Sequence, residues 1–525
     1  MTRTGRSMPT VVTEATHESG VIKSAPAAPG RGRLPRVGRL AAACARLSDW
    51  TLIAGPLVTL AVMLWGIGAR PYWGDEADTV SAVSRSLPQL FRLLRHIDAV
   101  HGLYYVLLWA VARLAGTGEL ATRLPSAAAM AAAAAGVAAI ARRLGSRRAG
   151  LYAGLMFAVL PTVTQQGHDA RPYAAVTAAA VLASYLLVRA AQDPRWRWFA
   201  AYGIALVLVG YLQLFGLLLL PAHAVTLAGL GHGRRAGGDG RPAGPGGRPR
   251  PLLLRRWLAT VAAVALAAAP AAVMGWVQRA QIAWIPRPGW GDLGSLVATL
   301  AAASAPAAVV IGLLGVLGGF RAGAAARAGA AGWGLTWLAL PWLVLPPLIL
   351  LAVSAITPVY VGRYVTFCLP AVALLAGTGL AALRWPNGAG ALALVVVLVA
   401  PAQLAMRAQG GGMQMVGQFL SVHRRPGDAI VYPEPSIPPW YLAYPEGFGQ
   451  LRDLSMGRTP AAAGTLFGIA VSLPVLKRRE ESVRRIWIVP LTGRNPAAYL
   501  APRFRLAHEW KLRGYQPVLL YTKTS

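Results

Sequence analysis

Long apolar runs, separated by turns that carry arginine, recur through residues 50–405 and limit what this chain can fold into. Each run approaches the roughly twenty residues that an α-helix needs, at about 1.5 Å per residue, to cross a hydrocarbon core of roughly 30 Å. The sequence therefore predicts an all-α polytopic membrane protein with about eleven transmembrane helices. The expected spans are approximately 50–69, 122–141, 149–165, 174–190, 199–213, 214–230, 257–276, 295–318, 333–356, 364–383 and 388–405.

The composition agrees with a membrane protein and argues against nucleic-acid binding. Of the 525 residues, 55% are apolar and only 13% are charged. The formal net charge of +32 comes nearly all from arginine, and most arginines lie between apolar runs, where loop charges set membrane orientation. We therefore expect no nucleic-acid partner. A disulfide is not expected either, because Cys44 precedes the first apolar run and Cys368 lies inside a later one.

The two ends of the chain depart from this pattern. The first residues are rich in Arg, Pro, Gly and Ala without periodicity, which predicts a disordered basic tail in the cytoplasm. The last 120 or so residues contain strand-like runs at 427–432, 486–489 and 517–521 with helical stretches between them, which predicts a small external α/β domain. The expected domains are 1–48, 49–405 and 406–525.

A short apolar segment, residues 102–115, decides the orientation of the later loops. It is too short to cross the bilayer. Counted as a span, it would put Arg142, Arg143, Arg147 and Arg148 outside the cell. Left in the first external loop, it puts all four in the cytoplasm, as the positive-inside rule requires. The sequence then predicts a multi-pass plasma-membrane protein with its amino terminus inside and its carboxy-terminal domain outside.

In this topology, the scarce acidic residues and several polar clusters fall in external loops. Only 19 acidic residues oppose 51 basic ones, yet Asp75, Glu76 and Asp78 crowd together after the first span. A carboxylate can act as general base on an acceptor hydroxyl, and the planar guanidinium of arginine suits a phosphate leaving group. These residue types fit the transfer of a sugar from a lipid phosphate. The other clusters contain His96, Asp98 and His101, then His168, Asp169, Arg171 and Tyr173, then Trp284 and Trp290, and finally Tyr360, Arg363 and Tyr364.

Each cluster also has an ordinary structural explanation. Acids at the start of a helix bind free N–H groups and favour the helix dipole, so one or two of Asp75, Glu76 and Asp78 need not be catalytic. Asp169 and Arg171 can form a simple ion pair. The remaining structural explanations are an interfacial anchor for Arg363, loop hydrogen bonds for His96, His101 and His168, and an aromatic belt for Trp284 and Trp290.

The motifs, taken in order, resemble the GT-C superfamily of integral-membrane glycosyltransferases. The resemblance is to the group that includes the protein O-mannosyltransferases and the aminoarabinose transferase of lipid A. It implies a GT-C fold, a polyprenyl-phosphate sugar donor, an active site outside the cell and inversion at the anomeric carbon. The matching motifs are Asp75-Glu76, His101-Gly102-Leu103-Tyr104-Tyr105, Arg123-Leu124-Pro125-Ser126, Ala170-Arg171-Pro172-Tyr173, and Gly362-Arg363-Tyr364 with Pro370.

The resemblance also implies roles for individual residues. Asp75 would be the catalytic base, and Glu76 its neighbour in a catalytic acidic pair. Some relatives need a divalent cation such as Mg²⁺ or Mn²⁺ and others do not, so metal use stays open and no residue is assigned to a metal. The residues expected to bind the donor and its phosphate, or to support that site, are His101, Arg123, Asp169, Arg171, Tyr173, Arg363 and Tyr364.

The acceptor is less well determined than the donor. The terminal domain does not resemble those of mannosyltransferases that modify proteins, and the composition is typical of a bacterium with a GC-rich genome. An envelope glycan or glycolipid is therefore favoured over a protein acceptor, with a hexose such as mannose as the sugar. Two other functions stay open: a lipid or polysaccharide transporter, and an inactive envelope scaffold. A transporter is expected to carry ionisable residues near the middle of its spans, which this sequence largely lacks.

Overall fold

A computed structural model gives the architecture of most of the chain. The expected basic tail, 1–48, lies outside the described residues, as does most of the arginine-rich loop that follows residue 229. From Trp50 onward the chain forms one compact unit. The described residues are 50–229, 250–301, 304–327, 334–408, 412–433, 436–437, 439–489, 499–512 and 517–524.

The first part of this unit is helical. Short 3-10 turns at Ala99–His101, Leu214–Leu218, Arg279–Ile282 and Gly362–Cys368 interrupt the helices or extend them. In chain order the helices are α1 (Trp50–Leu64), α2 (Gly74–Val83), α3 (Leu87–His96), α4 (Gly102–Ala115), α5 (Glu119–Leu144), α6 (Arg147–Val159), α7 (Pro161–Gly167), α8 (Tyr173–Gln192), α9 (Trp196–Leu212), α10 (Leu219–Gly229), α11 (Arg250–Val277), α12 (Trp290–Ala301), α13 (Ala305–Arg327), α14 (Leu335–Ile356), α15 (Leu369–Ala382) and α16 (Trp385–Ala408).

The predicted all-α polytopic class is confirmed. Among the described residues, seven helices are long and apolar enough to cross a membrane, and they coincide with predicted spans. The other predicted spans correspond to the shorter helices α1, α6 with α7, α9 and α10. The short segment 102–115 is the fourteen-residue helix α4, as expected from its length.

Two segments that the sequence predicts as continuous helices are divided in the structure. The predicted span 149–165 breaks between α6 and α7, because Pro161 has no N–H to continue the α6 ladder and instead opens α7. The predicted span 295–318 is divided between α12 and α13. At the start of α13, Ala307 N–H donates to Ser304 Oγ at 3.3 Å, which is the contact of a helix cap.

Apolar residues recur at three- and four-residue spacing from Val80 to Leu94, which predicts one amphipathic helix with a kink at Pro88. The structure instead has two helices here, α2 and α3. Ser84 ends α2, and Ser86 begins α3 with a reciprocal cap in which the Ser86 N–H donates to Gln89 Oε1 at 3.1 Å. Pro88 therefore lies in the first turn of a new helix rather than at a kink.

Glycine allows α13 and α15 to cross in backbone contact. A Cβ added to Gly379 would lie 2.0 Å from the Leu314 carbonyl oxygen, and one added to Gly318 would lie 2.0 Å from the Leu375 carbonyl oxygen. Small residues at helix crossings are the usual route to close packing where no hydrophobic effect operates between helices. By contrast, Gly312 on α13 has no atom within 4 Å of the position its Cβ would take.

Gly379→Val is therefore expected to lower the thermal unfolding midpoint of the purified protein clearly, because α13 and α15 must separate to admit the side chain. Gly312→Val is the matched control and is expected to shift the midpoint much less. Equal midpoints for the two variants in detergent would contradict the close crossing.

Residues after 408 form a mixed α/β domain. The predicted strands are β1, β6 and β8, whereas the sequence pattern did not predict the edge strand β7 or the three short strands of a second sheet. Helix α17 (Gly412–His423) covers one face of the main sheet. The strands are β1 (Ala429–Val431), β2 (Ser436–Ile437), β3 (Arg452–Asp453), β4 (Met456–Arg458), β5 (Gly468–Ala470), β6 (Arg485–Ile488), β7 (Phe504–Trp510) and β8 (Val518–Lys523), and the helices are α18 (Trp440–Ala443), α19 (Pro445–Phe448), α20 (Pro460–Ala463) and α21 (Leu473–Arg479).

The main sheet has the order β3-β1-β6-β8-β7, and the small sheet has the order β2-β5-β4. Strand β1 runs parallel to β3 and β6, whereas β8 runs antiparallel to both β6 and β7. One face of the main sheet packs on α17, and the other face packs on α21.

The terminal domain is bonded to the loop and helix that follow α1. Tyr72 N–H donates to Tyr444 Oη at 2.6 Å, and Ser81 Oγ–H donates to the Leu466 carbonyl at 2.9 Å. Arg85 Nη2 also donates to the Thr465 carbonyl. These bonds hold the segment 465–467 against α2, next to the acidic cluster.

Candidate active site

One end of the helical region contains a cavity of about 360 Å³. It lies where α2, the loop before α8 and the Gly362–Cys368 turn meet, and Leu466 and Phe467 of the terminal domain complete its wall. Its lining contains apolar residues, such as Phe215 and Ile282, as well as charged ones. The ionisable side chains that line it are Asp75, Asp78, Asp98, His101, Arg171, Arg279 and Arg363.

Asp75 lies in the first turn of α2 and faces this cavity. Its Oδ2 atom is 3.3 Å from Arg363 Nη2 and 3.8 Å from Arg171 Nη2. The side chain is 27% exposed, so it can be reached from the cavity. Three elements that are distant in sequence therefore bring one carboxylate and two guanidinium groups together.

The Arg171 side chain is held mainly by hydrogen bonds to acceptors on α2. Its Nη1 donates to the Asp75 carbonyl at 3.3 Å, to Thr79 Oγ1 at 3.4 Å and to Tyr105 Oη at 3.3 Å. Its Nε is buried and makes no hydrogen bond to any described residue. A buried N–H without a partner costs free energy, so this donor favours an acceptor on a bound ligand.

Arg363 is held by aromatic side chains. Its Nε donates to Tyr173 Oη at 3.1 Å. Its guanidinium carbon also lies 5.5 Å from the ring centre of Trp73 and 5.7 Å from that of Trp284. Cation–π contacts of this kind orient a guanidinium through its face, so the N–H donors in its plane can still bind a ligand.

Glu76, the second member of the acidic pair, does not line the cavity. It is fully buried and forms a two-pronged pair with Arg123, with Nε–Oε1 at 2.8 Å and Nη2–Oε2 at 2.7 Å. Glu76 Oε1 also accepts from Ala170 N–H at 2.8 Å. The remaining Arg123 bonds go to the carbonyls of Ile67, Arg70 and Pro71.

The expected role of Glu76 in a catalytic pair does not fit this geometry, because its side chain is not open to the cavity. Arg123 is not open to the cavity either, and it bonds to the loop that carries the acidic pair, the supporting role that the family resemblance implies for it. The pair instead joins three segments: the loop after α1, the start of α5 and the loop before α8.

Asp169 also lies behind the cavity wall rather than in it. It is only 4% exposed, and its carbonyl accepts from Ser126 Oγ at 2.7 Å. Burial, and then the nearby Glu76 carboxylate, raise the pKa of Asp169 above its usual range. A direct contact with donor phosphate, as the sequence predicts, does not fit this location.

Asp78 lines the cavity beside Asp75. Burial, with smaller contributions from Asp75 and Asp98, raises its pKa from 3.8 to about 7, although the charge of Arg171 opposes the shift. The sequence motifs assign no role to this residue. Within the described residues it is a second cavity carboxyl, and it titrates near neutral pH.

Asp98 and His101 form a third polar group at the cavity. Asp98 has a left-handed backbone with φ at 63°, and its carboxylate accepts from Tyr105 Oη and lies 2.7 Å from His101 Nδ1. Although burial alone would raise it, the charge and hydrogen bond of His101 together with Arg171 hold the pKa of Asp98 below its usual range. The turn is fixed by Gln278 and Gln281, which accept from the Ala99 and Asp98 N–H groups.

Of the other candidates, Tyr364 lines the cavity and Tyr173 reaches it only through Arg363. His168 Nε2 lies 2.6 Å from the Met63 carbonyl, and His96 Nδ1 lies 2.8 Å from the Arg92 carbonyl, so both make ordinary loop contacts. Trp284 lines the cavity, whereas Trp290 is 90% exposed. The cavity residues that the sequence did not single out include Gln213, Arg279, Gln281 and Phe467.

Comparison with known proteins finds one family match and several similar solved structures. Residues 103–236 match the family described as dolichyl-phosphate-mannose-protein mannosyltransferase. The whole fold is similar to ArnT from Cupriavidus metallidurans bound to undecaprenyl phosphate, with a TM-score of 0.58, 14% identity, and coverage of 90% of this chain and 98% of that chain. The chain therefore has an ArnT-like GT-C fold.

Two further structural matches and one negative result complete the comparison. ArnT from the same organism in the apo state gives a TM-score of 0.58 at 13% identity, covering 91% of this chain and 98% of that chain. The Archaeoglobus fulgidus oligosaccharyltransferase in complex with Zn and sulfate gives 0.41 at 13% identity, covering 84% and 68%. That likeness is too distant for its zinc to bear on this protein. No curated protein sequence matches the chain.

The predicted enzyme class agrees with the family match, because the family that residues 103–236 resemble consists of glycosyltransferases that depend on lipid-linked sugars. The chain is a multi-pass membrane protein. The family match favours this activity over the transporter that the sequence left open.

The acidic side chains of the cavity are bonded to other protein groups rather than gathered at one point. Within the described ranges, no group of three or more His, Cys, Asp or Glu side chains is placed to hold a metal ion. Asp75 is instead surrounded by arginine, and Asp98 is bonded to His101 and Tyr105.

Arg123→Ala is expected to lower the free energy of unfolding by about 3–5 kcal/mol, because it leaves the Glu76 carboxylate buried without its ion-pair partner. Arg92→Ala, an exposed arginine on α3, is the matched control and is expected to change it by less than about 1 kcal/mol. Denaturant titration in detergent measures both. Similar losses for the two variants would contradict the structural role of the Glu76–Arg123 pair.

Asp78→Asn is expected to change how stability depends on pH. With a pKa raised from 3.8 to about 7, the folded protein keeps the Asp78 proton in a range where the unfolded chain releases it. This contribution to stability is therefore full below about pH 4 and is lost as the pH rises toward 7. The fall in unfolding midpoint between about pH 5 and about pH 8 should be smaller in Asp78→Asn than in wild type. An unchanged fall, as expected for the control Asp292→Asn, would contradict the raised pKa.

Proposed function

We propose that this protein transfers a hexose, such as mannose, from a polyprenyl-phosphate donor to a hydroxyl group of an envelope glycan or glycolipid. The reaction inverts the anomeric carbon, with Asp75 as general base. The single observation that carries the proposal is the contact of Asp75 with both Arg171 and Arg363 in a cavity that its carboxylate can reach. These groups supply a base and a phosphate site within one small volume.

In the proposed reaction, the acceptor oxygen attacks the anomeric carbon of the donor. Its proton passes to Asp75, the new glycosidic bond forms, and the bond from the anomeric carbon to the phosphate oxygen breaks. The electron pair of that bond leaves with the polyprenyl phosphate. Proton removal and charge stabilisation at the leaving group are the two places where this cavity can lower the barrier.

Arg171 and Arg363 are the proposed ligands of the donor phosphate, with Arg279 as a third cation on the same wall. Guanidinium groups bind phosphate oxygens through pairs of N–H donors, which a point charge cannot do. The unpaired Arg171 Nε supports this assignment, since a phosphate oxygen would satisfy it.

The ion pairs of Asp75 suggest how donor binding activates the base. In the absence of donor, the carboxylate neutralises Arg171 and Arg363 and holds them at the cavity. A bound phosphate would share these guanidinium groups, so their hold on the carboxylate would weaken. The Asp75 carboxylate would then be free to turn toward the acceptor hydroxyl when its proton must be removed.

Glu76 and Arg123 act in this proposal by positioning rather than by touching substrate. Their buried pair fixes the start of α2 on α5, and through Ala170 it fixes the loop that carries Arg171. Asp169 lies in the same buried layer. Displacement of this layer would move Asp75 and Arg171 relative to each other.

The apolar part of the cavity lining suggests where the isoprenoid chain of the donor lies. Leu214, Phe215 and Ile282 offer an apolar wall to the start of the isoprenoid chain. On the opposite part of the lining, Leu466 and Phe467 come from the terminal domain and are held by Ser81 and Arg85. The acceptor is proposed to approach beside this segment.

The proposed orientation puts the cavity and the terminal domain outside the cell. Arg123 lies near one end of α5, and Arg142 and Arg143 lie in its last turn. About twenty residues separate them, which at about 1.5 Å per residue is close to the roughly 30 Å of a hydrocarbon core. Arginine-rich turns favour the cytoplasmic side, which supports an external cavity and a cytoplasmic amino terminus.

Asp75→Asn is expected to lower the rate of sugar transfer by about 10²–10⁴-fold, because the amide cannot accept the acceptor proton. The change removes the charge and keeps the shape, so folding should be retained. Transfer from a labelled polyprenyl-phosphate sugar to an envelope lipid extract measures the effect.

Asp292→Asn is the matched control, since Asp292 is an acid at the start of α12 that does not line the cavity. It should retain near wild-type transfer. Full transfer by folded Asp75→Asn would eliminate Asp75 as the base.

A further inference from the structure

A second cavity, of about 310 Å³, lies on the terminal domain and shares no lining residue with the first. It opens on the face of the main sheet that α17 covers. Its side chains are aromatic and basic, and no acid lines it within the described residues. The residues that give it this character are His423, Arg425, Arg485, Trp487, His508 and Trp510.

The sheet register explains why these residues meet. Arg485 lies opposite Thr522 across β6 and β8, and the next pair on the same face is Trp487 opposite Leu520. On the edge strand β7, His508 also lies opposite Leu520. One sheet face therefore presents a basic and polar row beside an aromatic row.

Helix α17 covers only part of this face. Its Phe419 ring packs at 6.1 Å from Trp487 and 5.1 Å from Trp510, so this part of the face is filled. The helix ends at His423, whose ring lies 4.0 Å from Phe419 and 5.9 Å from Trp510. The cavity occupies the part of the face next to this helix end.

Asp428 fixes the basic side of the cavity without lining it. Its carboxylate lies 3.1 Å from Arg485 Nε and accepts from Trp487 Nε1 at 2.8 Å and from Arg425 N–H at 3.0 Å. The Arg485 side chain is 19% exposed and lines the cavity. The buried carboxylate thus orients a guanidinium whose outer N–H donors are left for another acceptor.

We propose that this cavity binds an anionic saccharide, one that carries a carboxylate or a phosphate group. The Trp510 and His508 rings offer apolar faces against which the C–H face of a sugar ring can stack. Arg485 and Arg425 offer planar forks for the anionic group. A bare anion would leave the aromatic surface unused, and a neutral sugar would leave the two arginines unused.

The test is calorimetric titration of the full protein in nanodiscs of neutral lipid. The probes are a galacturonic acid trisaccharide, glucose 6-phosphate, neutral maltotriose and inorganic phosphate. At least one anionic saccharide should bind at least about tenfold more tightly than both maltotriose and inorganic phosphate, since only it engages both surfaces. Comparison of the first two probes decides between carboxylate and phosphate.

Variants separate a defined site from general attraction to a basic protein. Arg425→Gln and Arg485→Lys should each weaken the binding by about tenfold. Arg425→Gln removes a guanidinium, and Arg485→Lys keeps the positive charge but loses the planar pair of N–H donors. Arg478→Gln, on α21 at the opposite sheet face, should leave it unchanged. Arg425 is exposed and its side chain makes no described contact, so its variant should fold even if Arg485→Lys does not. Absence of binding, equal binding of maltotriose or phosphate, or equal loss in Arg478→Gln would overturn the proposal.

Discussion

The buried pair between Glu76 and Arg123 is the interaction on which the rest of the site depends. Both side chains are fully buried, where an unpaired charge is costly, and the two groups satisfy each other through two short bonds. Arg123 uses its remaining donors on carbonyls of the loop after α1, and Glu76 accepts from Ala170. One ion pair thus sets the relative positions of α2, α5 and the loop before α8.

Because the Glu76–Arg123 pair fixes these segments, the cavity side chains that they carry are held in defined positions. Asp75 starts the helix that Glu76 fixes, and Arg171 follows directly after the residue that Glu76 binds. Arg363 reaches the same carboxylate from the Gly362–Cys368 turn. The two adjacent acids therefore have different roles. The Asp75 carboxylate faces the cavity, and the buried Glu76 carboxylate fixes the segments that form the cavity wall. Preorganisation of this kind keeps charges in place before the reaction begins, which is how electrostatic stabilisation is most effective.

Much of the fold could be predicted from the sequence, because span length and arginine-bearing turns are local signals. The breaks at Pro161 and Ser86 were harder to predict, because a proline within a helical pattern fits both a kink and the first turn of a new helix. In the site, the sequence motifs reached Asp75, Arg171 and Arg363, which do meet. They could not separate Glu76 from Asp75, because adjacent residues on a helix point in different directions and only packing decides which is buried. Cavity residues such as Gln281 and Phe467 carry no motif, because tertiary contacts alone bring them there.

The most direct test of this account is a structure of the protein with a non-hydrolysable polyprenyl-phosphate hexose analogue, determined by electron cryo-microscopy in a lipid nanodisc. The account predicts that the phosphate lies within hydrogen-bond distance of Arg171 and Arg363. It also predicts that the anomeric carbon faces Asp75 with room for an acceptor hydroxyl between them. A phosphate bound away from both arginines, or an anomeric carbon out of reach of Asp75, would contradict it.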